Sequence, residues 1–71
     1  MKTLRSQSRV RRIIEENGAF LVAFVMHDGL FTVPPDSPDV AAMRARILQA
    51  QRENAEVSFE YDSDLNIVGL L

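Results

Sequence analysis

The chain has 71 residues, enough for one domain, and a domain of this size buries only about 60% of the surface that its unfolded chain exposes. The absence of cysteine excludes disulfides and cysteine-ligated metal sites, and a hydrophobic content of 46% is that of a globular protein rather than a disordered one. The net charge of −2 is unevenly distributed, because residues 13–71 hold all ten acids and three of the eight basic residues.

The first twelve residues hold the remaining five basic residues and no acid. We expect residues 1–8 to form a flexible basic arm and residues 9–71 a single small domain. Such a segment suits contact with a polyanion, or contact with the acidic face of the same body or of a neighbouring subunit. The second interpretation is favoured, because no aromatic residue accompanies the charges. The candidate anion or nucleic-acid contacts are Lys2, Arg5, Arg9, Arg11 and Arg12.

The amino-terminal segment lacks the pattern of a secretory leader, and the longest apolar run, residues 19–26, is too short to span a membrane. We therefore expect a cytoplasmic protein without a membrane partner.

Residues 9–16 suit either a strand or one face of a helix. A helix would place two glutamates in its last turn, the unfavourable end for negative charge, so the strand is favoured. The strand leads into Asn17-Gly18, a two-residue hairpin signal of type I′. The pairs predicted from this turn are Ile13 with Val22 and Ile14 with Leu21.

Asp28-Gly29 gives a second hairpin signal, with strands predicted at 19–27 and 30–34. The pairs predicted from this turn are Met26 with Phe31 and Phe24 with Val33. Both faces of the middle strand are apolar, so we expect a curled sheet to cover one face and a helix or a partner chain to cover the other. The aromatic residues suit a core, yet Phe20 and Phe24 on this strand are also candidate interface residues.

Ser37-Pro38-Asp39 predicts the start of a helix, with Ser37 as the residue that caps its free amides. Apolar residues follow at helical spacing, and Asn54 suits the left-handed conformation of a C-cap. Arg44 and Arg52 fall on or near the exposed side of the helix, where they are candidates for ion pairs with a neighbouring copy.

Residues 57–61 alternate between apolar and polar side chains, which predicts a strand with one exposed face. Asp62-Ser63-Asp64 predicts a turn, and residues 65–71 predict a last strand with a bulge or bend at Gly69. The Asp62-x-Asp64-x-Asn66 spacing imitates a calcium loop but lacks the glycine and the glutamate that such a loop requires, so the aspartates are interpreted as turn residues.

The predicted order of elements is β-β-β-α-β-β. It resembles the five-stranded OB-fold barrel, and the second half is similar to small OB modules of the bacterial toxin B-subunit type. The resemblance rests on Pro35-Asp36-Ser37-Pro38-Asp39, on the spacing of Met43, Ile47, Leu48 and Ala50, and on residues 57–62 and 67–69. The resemblance implies a barrel that assembles into a ring or a dimer and that binds a ligand without catalysing a reaction. If residues 9–16 were helical, the alternative would be a two-layer αββαββ fold.

His27-Asp28 is the one neighbouring pair of a histidine and an acid, and its position beside a turn favours a structural role. No motif for metal, phosphate or nucleophilic chemistry is present, and no serine has a base near it in the sequence, so we expect no catalytic residue, metal or cofactor. The hypothesis is a non-enzymatic interaction module that self-associates or binds another protein. The alternative is a single-stranded nucleic-acid-binding accessory protein that uses the basic segment.

Overall fold

The computed structural model describes residues 2–71, which form a mainly β domain with one helix. Within these residues, no helix is long and apolar enough to cross a membrane. In chain order the elements are β1 (Leu4–Glu16), β2 (Ala19–Phe24), β3 (Leu30–Val33), α1 (Val40–Glu53), β4 (Glu56–Tyr61) and β5 (Ile67–Leu70).

The five strands form one antiparallel sheet in the order β3-β2-β1-β4-β5, and the sheet curls so that its two edge strands meet. The meeting point is a parallel bridge between Thr32 and Asn66, beside a 2.9 Å hydrogen bond that the Thr32 amide donates to the Leu65 carbonyl. The predicted mainly β fold, with the element order β-β-β-α-β-β, is confirmed. The two-layer alternative is wrong, because residues 9–16 belong to β1.

The first hairpin has the predicted register, with Ile13 opposite Val22 and Ile14 opposite Leu21. Asn17 and Gly18 have φ angles of 53° and 79°, the left-handed values that a type I′ turn requires at both central positions.

Strand β1 is longer than predicted, because it begins at Leu4 rather than at residue 9. Residues 4–9, most of which the sequence assigned to a basic arm, pair with β4, and residues 10–16 pair with β2. Val10 lies opposite Phe24 and Arg12 opposite Ala23, so Arg11 is an extra residue in a bulge. The bulge lets one strand bend from the first half of the barrel into the second.

The predicted register of the second hairpin is wrong. Strand β2 ends at Phe24, residues 25–29 connect it to β3, and the observed pairs are Phe20 with Val33 and Val22 with Phe31. The segment after Phe24 stays against β1, because the Val25 amide donates to the Arg9 carbonyl at 3.0 Å and the Met26 amide to the Ser8 hydroxyl at 3.1 Å. These contacts prevent a two-residue turn at Asp28-Gly29.

The helix begins two residues later than the Ser37 cap would place it. Asp39 occupies the N-cap position without a side-chain hydrogen bond, and the Ser37 carbonyl accepts the Val40 amide at 3.3 Å. Asn54 ends the helix in the left-handed conformation, as predicted. The buried face of the helix consists of Met43, Ile47 and Ala50.

Strand β4 buries Val57 and Phe59, as its alternation predicted. In its pairing with β5, Glu60 lies opposite Gly69 and Tyr61 opposite Ile67, so Val68 is an extra residue. The irregularity therefore lies beside Gly69, where a bulge or bend was predicted.

Candidate interaction surface

The two apolar faces of β2 have different surroundings. Phe20, Val22 and Phe24 point inward and are fully buried. The Phe24 ring stacks on Phe59 at a centroid distance of 4.2 Å and packs edge-to-face on Phe31 at 5.3 Å. Phe20 and Phe24 were candidate interface residues, but both side chains are inaccessible from the surface. An alternating apolar strand does not reveal which of its faces the barrel encloses.

The opposite face carries a group of apolar side chains, here called the outer patch: Ile14, Leu21, Ala23, Val25 and Leu30. They come from β1, β2, β3 and the connection that follows β2, and adjacent strands place them side by side. None belongs to the core cluster, whereas Ile13 packs against it. Val25 is 52% and Leu30 44% exposed, Ile14 and Leu21 are partly exposed, and Ala23 is buried between its neighbours on this face.

Two unpaired charges flank the outer patch. Arg12 lies opposite Ala23 at one end, and Glu16 lies opposite Ala19 at the other. Both side chains are exposed, and neither forms an ion pair within residues 2–71. The basic side chain therefore lies beside the exposed apolar residues Val25 and Leu30, Ile14 and Leu21 lie between the two charges, and the acidic side chain lies at the other end.

Two of the candidate anion contacts lie beside glutamates of the same chain. Arg5 pairs across the strands with Glu60, and their charged groups approach to 4.0 Å. Arg9 lies opposite Glu56 in the same ladder. Part of the basic segment therefore lies along the chain's own acidic strand, while Lys2, Arg11 and Arg12 are exposed and have no ion pair in the described part of the chain.

Arg44 connects the helix to the first hairpin. Its Nη2 donates to the Gly18 carbonyl at 3.1 Å, and its guanidinium carbon lies 5.3 Å from the centre of the Phe20 ring. Its Nε is buried without a hydrogen-bond partner in the described structure. Arg44 therefore makes contacts within its own chain, whereas Arg52 is exposed in the last helical turn, a position that suits a cation.

His27 lies in a cage of aromatic rings at the end of the barrel opposite the Arg44 contact. Its ring packs edge-to-face on Phe31 at 5.0 Å and on Tyr61 at 5.9 Å, and its Nε2 lies 2.8 Å from the Ser6 hydroxyl. The fold thus supplies a serine 21 residues away that local sequence could not reveal. Asp28 is exposed, and among residues 2–71 no three side chains of metal-binding type form a cluster.

Asp62 organises the turn before β5. One carboxylate oxygen accepts the amides of Asp64 and Asn66 at 2.9 Å each, and the other accepts the Asn66 side chain at 3.2 Å. The bond from the Asn66 amide is the main reason that the pKa of Asp62 lies below its ordinary value, with smaller contributions from the other bonds opposed by partial burial. The carboxylate therefore holds the turn, as its position in the sequence suggested.

Sequence reasoning named Arg12 as an anion contact and recognised the second apolar face of β2, but it did not connect Arg12 and Glu16 with that face. The signal was present in β1, because Arg12, Ile14 and Glu16 alternate with residues of the opposite face. The sequence could not show which of the adjacent residues Ile13 and Ile14 faces the core, because they are chemically identical. The packing shows that Ile13 contacts the core cluster and Ile14 does not.

Comparison with models of protein families finds no match, and neither curated proteins nor solved structures match the chain significantly.

Proposed function

We propose that the protein is a non-enzymatic interaction module that self-associates through the outer patch. The observation that carries the proposal is a sheet face with exposed and partly exposed apolar side chains and an unpaired charge of each sign. Contiguous exposed apolar surface with a polar rim is typical of protein interaction sites. A small domain without disulfides also gains stability from burying such a face against a copy of itself.

The polar groups that could suggest catalysis have structural contacts that support this proposal. Arg44 bonds a backbone carbonyl, and Asp62 accepts bonds from its own turn. The Ser6 and His27 pair has the spacing of a nucleophile and a base, but in the described residues no carboxylate bonds the histidine to orient it. The resemblance of the sequence to toxin B-subunit modules, if it extends to function, implies binding through assembled barrels.

The test is the molar mass of the protein in solution as a function of concentration, measured by sedimentation velocity. We expect the wild-type chain to form a dimer or larger assembly, and Leu21→Ser to weaken it because the substitution places a hydroxyl in the middle of the outer patch. Val68→Ser is the matched control, since Val68 is exposed to a similar degree as Leu30 but lies on β5. A monomer at every concentration would overturn the proposal.

The alternative function, single-stranded nucleic-acid binding, draws support from the exposed and unpaired Arg11 and Arg12. Base stacking would need exposed aromatic rings, and all four phenylalanines are buried. The test is fluorescence anisotropy of a mixed-sequence oligonucleotide at low and high salt. Salt-sensitive binding that is lost when Arg11 and Arg12 are both replaced by glutamine, and kept in Arg46→Gln, would favour this function.

A further inference from the structure

The outer face of β1 carries a self-complementary charge pattern. Arg12, Ile14 and Glu16 follow one another on this face at two-residue spacing, which separates successive side chains by roughly 7 Å. The order along the strand is basic, apolar, acidic. A second copy that runs in the opposite direction therefore presents acidic, apolar, basic, so that each charge meets its opposite.

The neighbouring strands extend this pattern across the sheet. Ile14 lies beside Leu21, and Leu21 lies beside Thr32, so these residues form a central row that crosses three strands. On one side of it lies the row that consists of Arg12, Ala23 and Leu30, and on the other side lie Glu16 and Ala19. A two-fold rotation about the central row exchanges the two flanking rows, which brings alanine over alanine and arginine over glutamate.

We propose that the outer patch binds a second copy of this chain in a two-fold symmetric, face-to-face stack of the two sheets. The rotation axis runs along the row of Ile14, Leu21 and Thr32, and each Arg12 pairs with Glu16 of the second copy. The proposal rests on the proposed function and adds the identity and orientation of the partner. A two-fold axis uses one surface twice, so this surface must be self-complementary, and the register of β1 and β2 meets that condition.

The sizes of the side chains also suit this stack. Packed sheets lie about 10 Å apart, and small residues beside the charged pairs leave space for the longer side chains of the facing sheet. Ala19 and Ala23 hold these positions on β2. A partner of uniform charge would match one end of the patch and be repelled at the other, which favours a second copy over an acidic or a basic ligand.

The test exchanges the two charges separately and then together. In Arg12→Glu and in Glu16→Arg, both ion pairs of a symmetric dimer become repulsive, so we expect the dissociation constant to rise by roughly tenfold to a hundredfold. In an equal mixture of the two variants both pairs are attractive again, so a heterodimer should form and appear in native mass spectrometry. The double variant Arg12→Glu/Glu16→Arg should form homodimers as the wild type does. Arg46→Glu on the exposed side of the helix is the control and should leave dimerisation unchanged.

The outcomes separate this inference from the proposed function. Both positions are exposed, and an unchanged circular dichroism spectrum establishes that each variant is folded. If the wild type dimerises and the single variants dimerise equally well, or the mixture gains nothing, the two-fold stack is wrong while self-association stands. If the wild type is a monomer at all concentrations, both self-association and the stack are wrong. Restored assembly in the mixture and in the double variant supports the stack.

Discussion

Replacement of Gly18 by alanine tests the turn that sets the register of the outer patch. Gly18 has a φ of 79°, and a Cβ added there meets no atom within 4 Å. The substitution therefore introduces no steric clash with other residues, and its cost comes from the left-handed backbone alone.

The magnitude follows from two opposing terms. An alanine in the left-handed region costs about 1–2 kcal/mol, and the loss of a glycine from the unfolded chain returns about 0.4–1 kcal/mol. We expect the free energy of unfolding to fall by roughly 1 kcal/mol, which for a domain of this size lowers the Tm by about 4–8 °C.

Gly69→Ala is the matched control for this change. A Cβ at Gly69 also meets nothing within 4 Å, but Gly69 does not have a positive φ, so the alanine should be neutral or stabilising. The assay is urea unfolding followed by far-ultraviolet circular dichroism, with thermal unfolding as a second measurement. Equal stabilities of the two variants would refute the argument that the left-handed turn is the cause.

Three further changes test other parts of the structure. Phe59→Leu removes the stack on Phe24 and should lower the free energy of unfolding, measured by urea titration, by about 1–3 kcal/mol. Unchanged stability would contradict the role given to the aromatic core. Arg44→Met removes one hydrogen bond and one buried Nε without a partner, so the free energy of unfolding should change by less than about 1 kcal/mol and the molar mass in solution should not change. For Asp62, the carboxyl resonance should titrate in NMR below the ordinary pKa of 3.8, because the bond from Asn66 favours the ionised form. This stabilisation is present above the pKa of the unfolded chain and is lost as the pH falls through the lower folded pKa, so Asp62→Asn should lose less stability in acid than the wild type does.

The parts of the fold that local interactions determine were predictable. Asn17-Gly18 sets its own hairpin register, and Asn54 ends the helix without help from distant residues. The Asp28-Gly29 turn failed because a competing contact comes from elsewhere in the chain, where the Ser8 hydroxyl holds the Met26 amide. The residue preferences of a turn concern only its four residues. They carry no information about a hydrogen bond to a residue 18 positions away in the sequence.

The sequence predicted that an apolar face of β2 would be available for contact, but it did not predict which residues form that face. A strand with two apolar faces signals that both are covered, and the interface candidates Phe20 and Phe24 lie on the face that the barrel itself encloses. Both phenylalanines of this strand point inward, where Phe24 stacks on Phe59 and Phe20 lies against the Arg44 guanidinium. Leu21 and Ala23 of the same strand lie on the other face, outside the core cluster.

Strand β1 belongs to both halves of the barrel, and this shared membership has a consequence for how the protein unfolds. If β1 detached, each half would be left as an isolated two-stranded hairpin, which is only marginally stable in water, so the two halves should unfold in one cooperative transition. The contact between β3 and β5 is a single bridge between Thr32 and Asn66, whereas β1 forms full ladders with β2 and β4. This bridge can therefore open without unfolding of the rest of the sheet. In hydrogen exchange, backbone amides of residues 8–10 should report global unfolding, while the amide of Thr32 should exchange through local opening of the barrel.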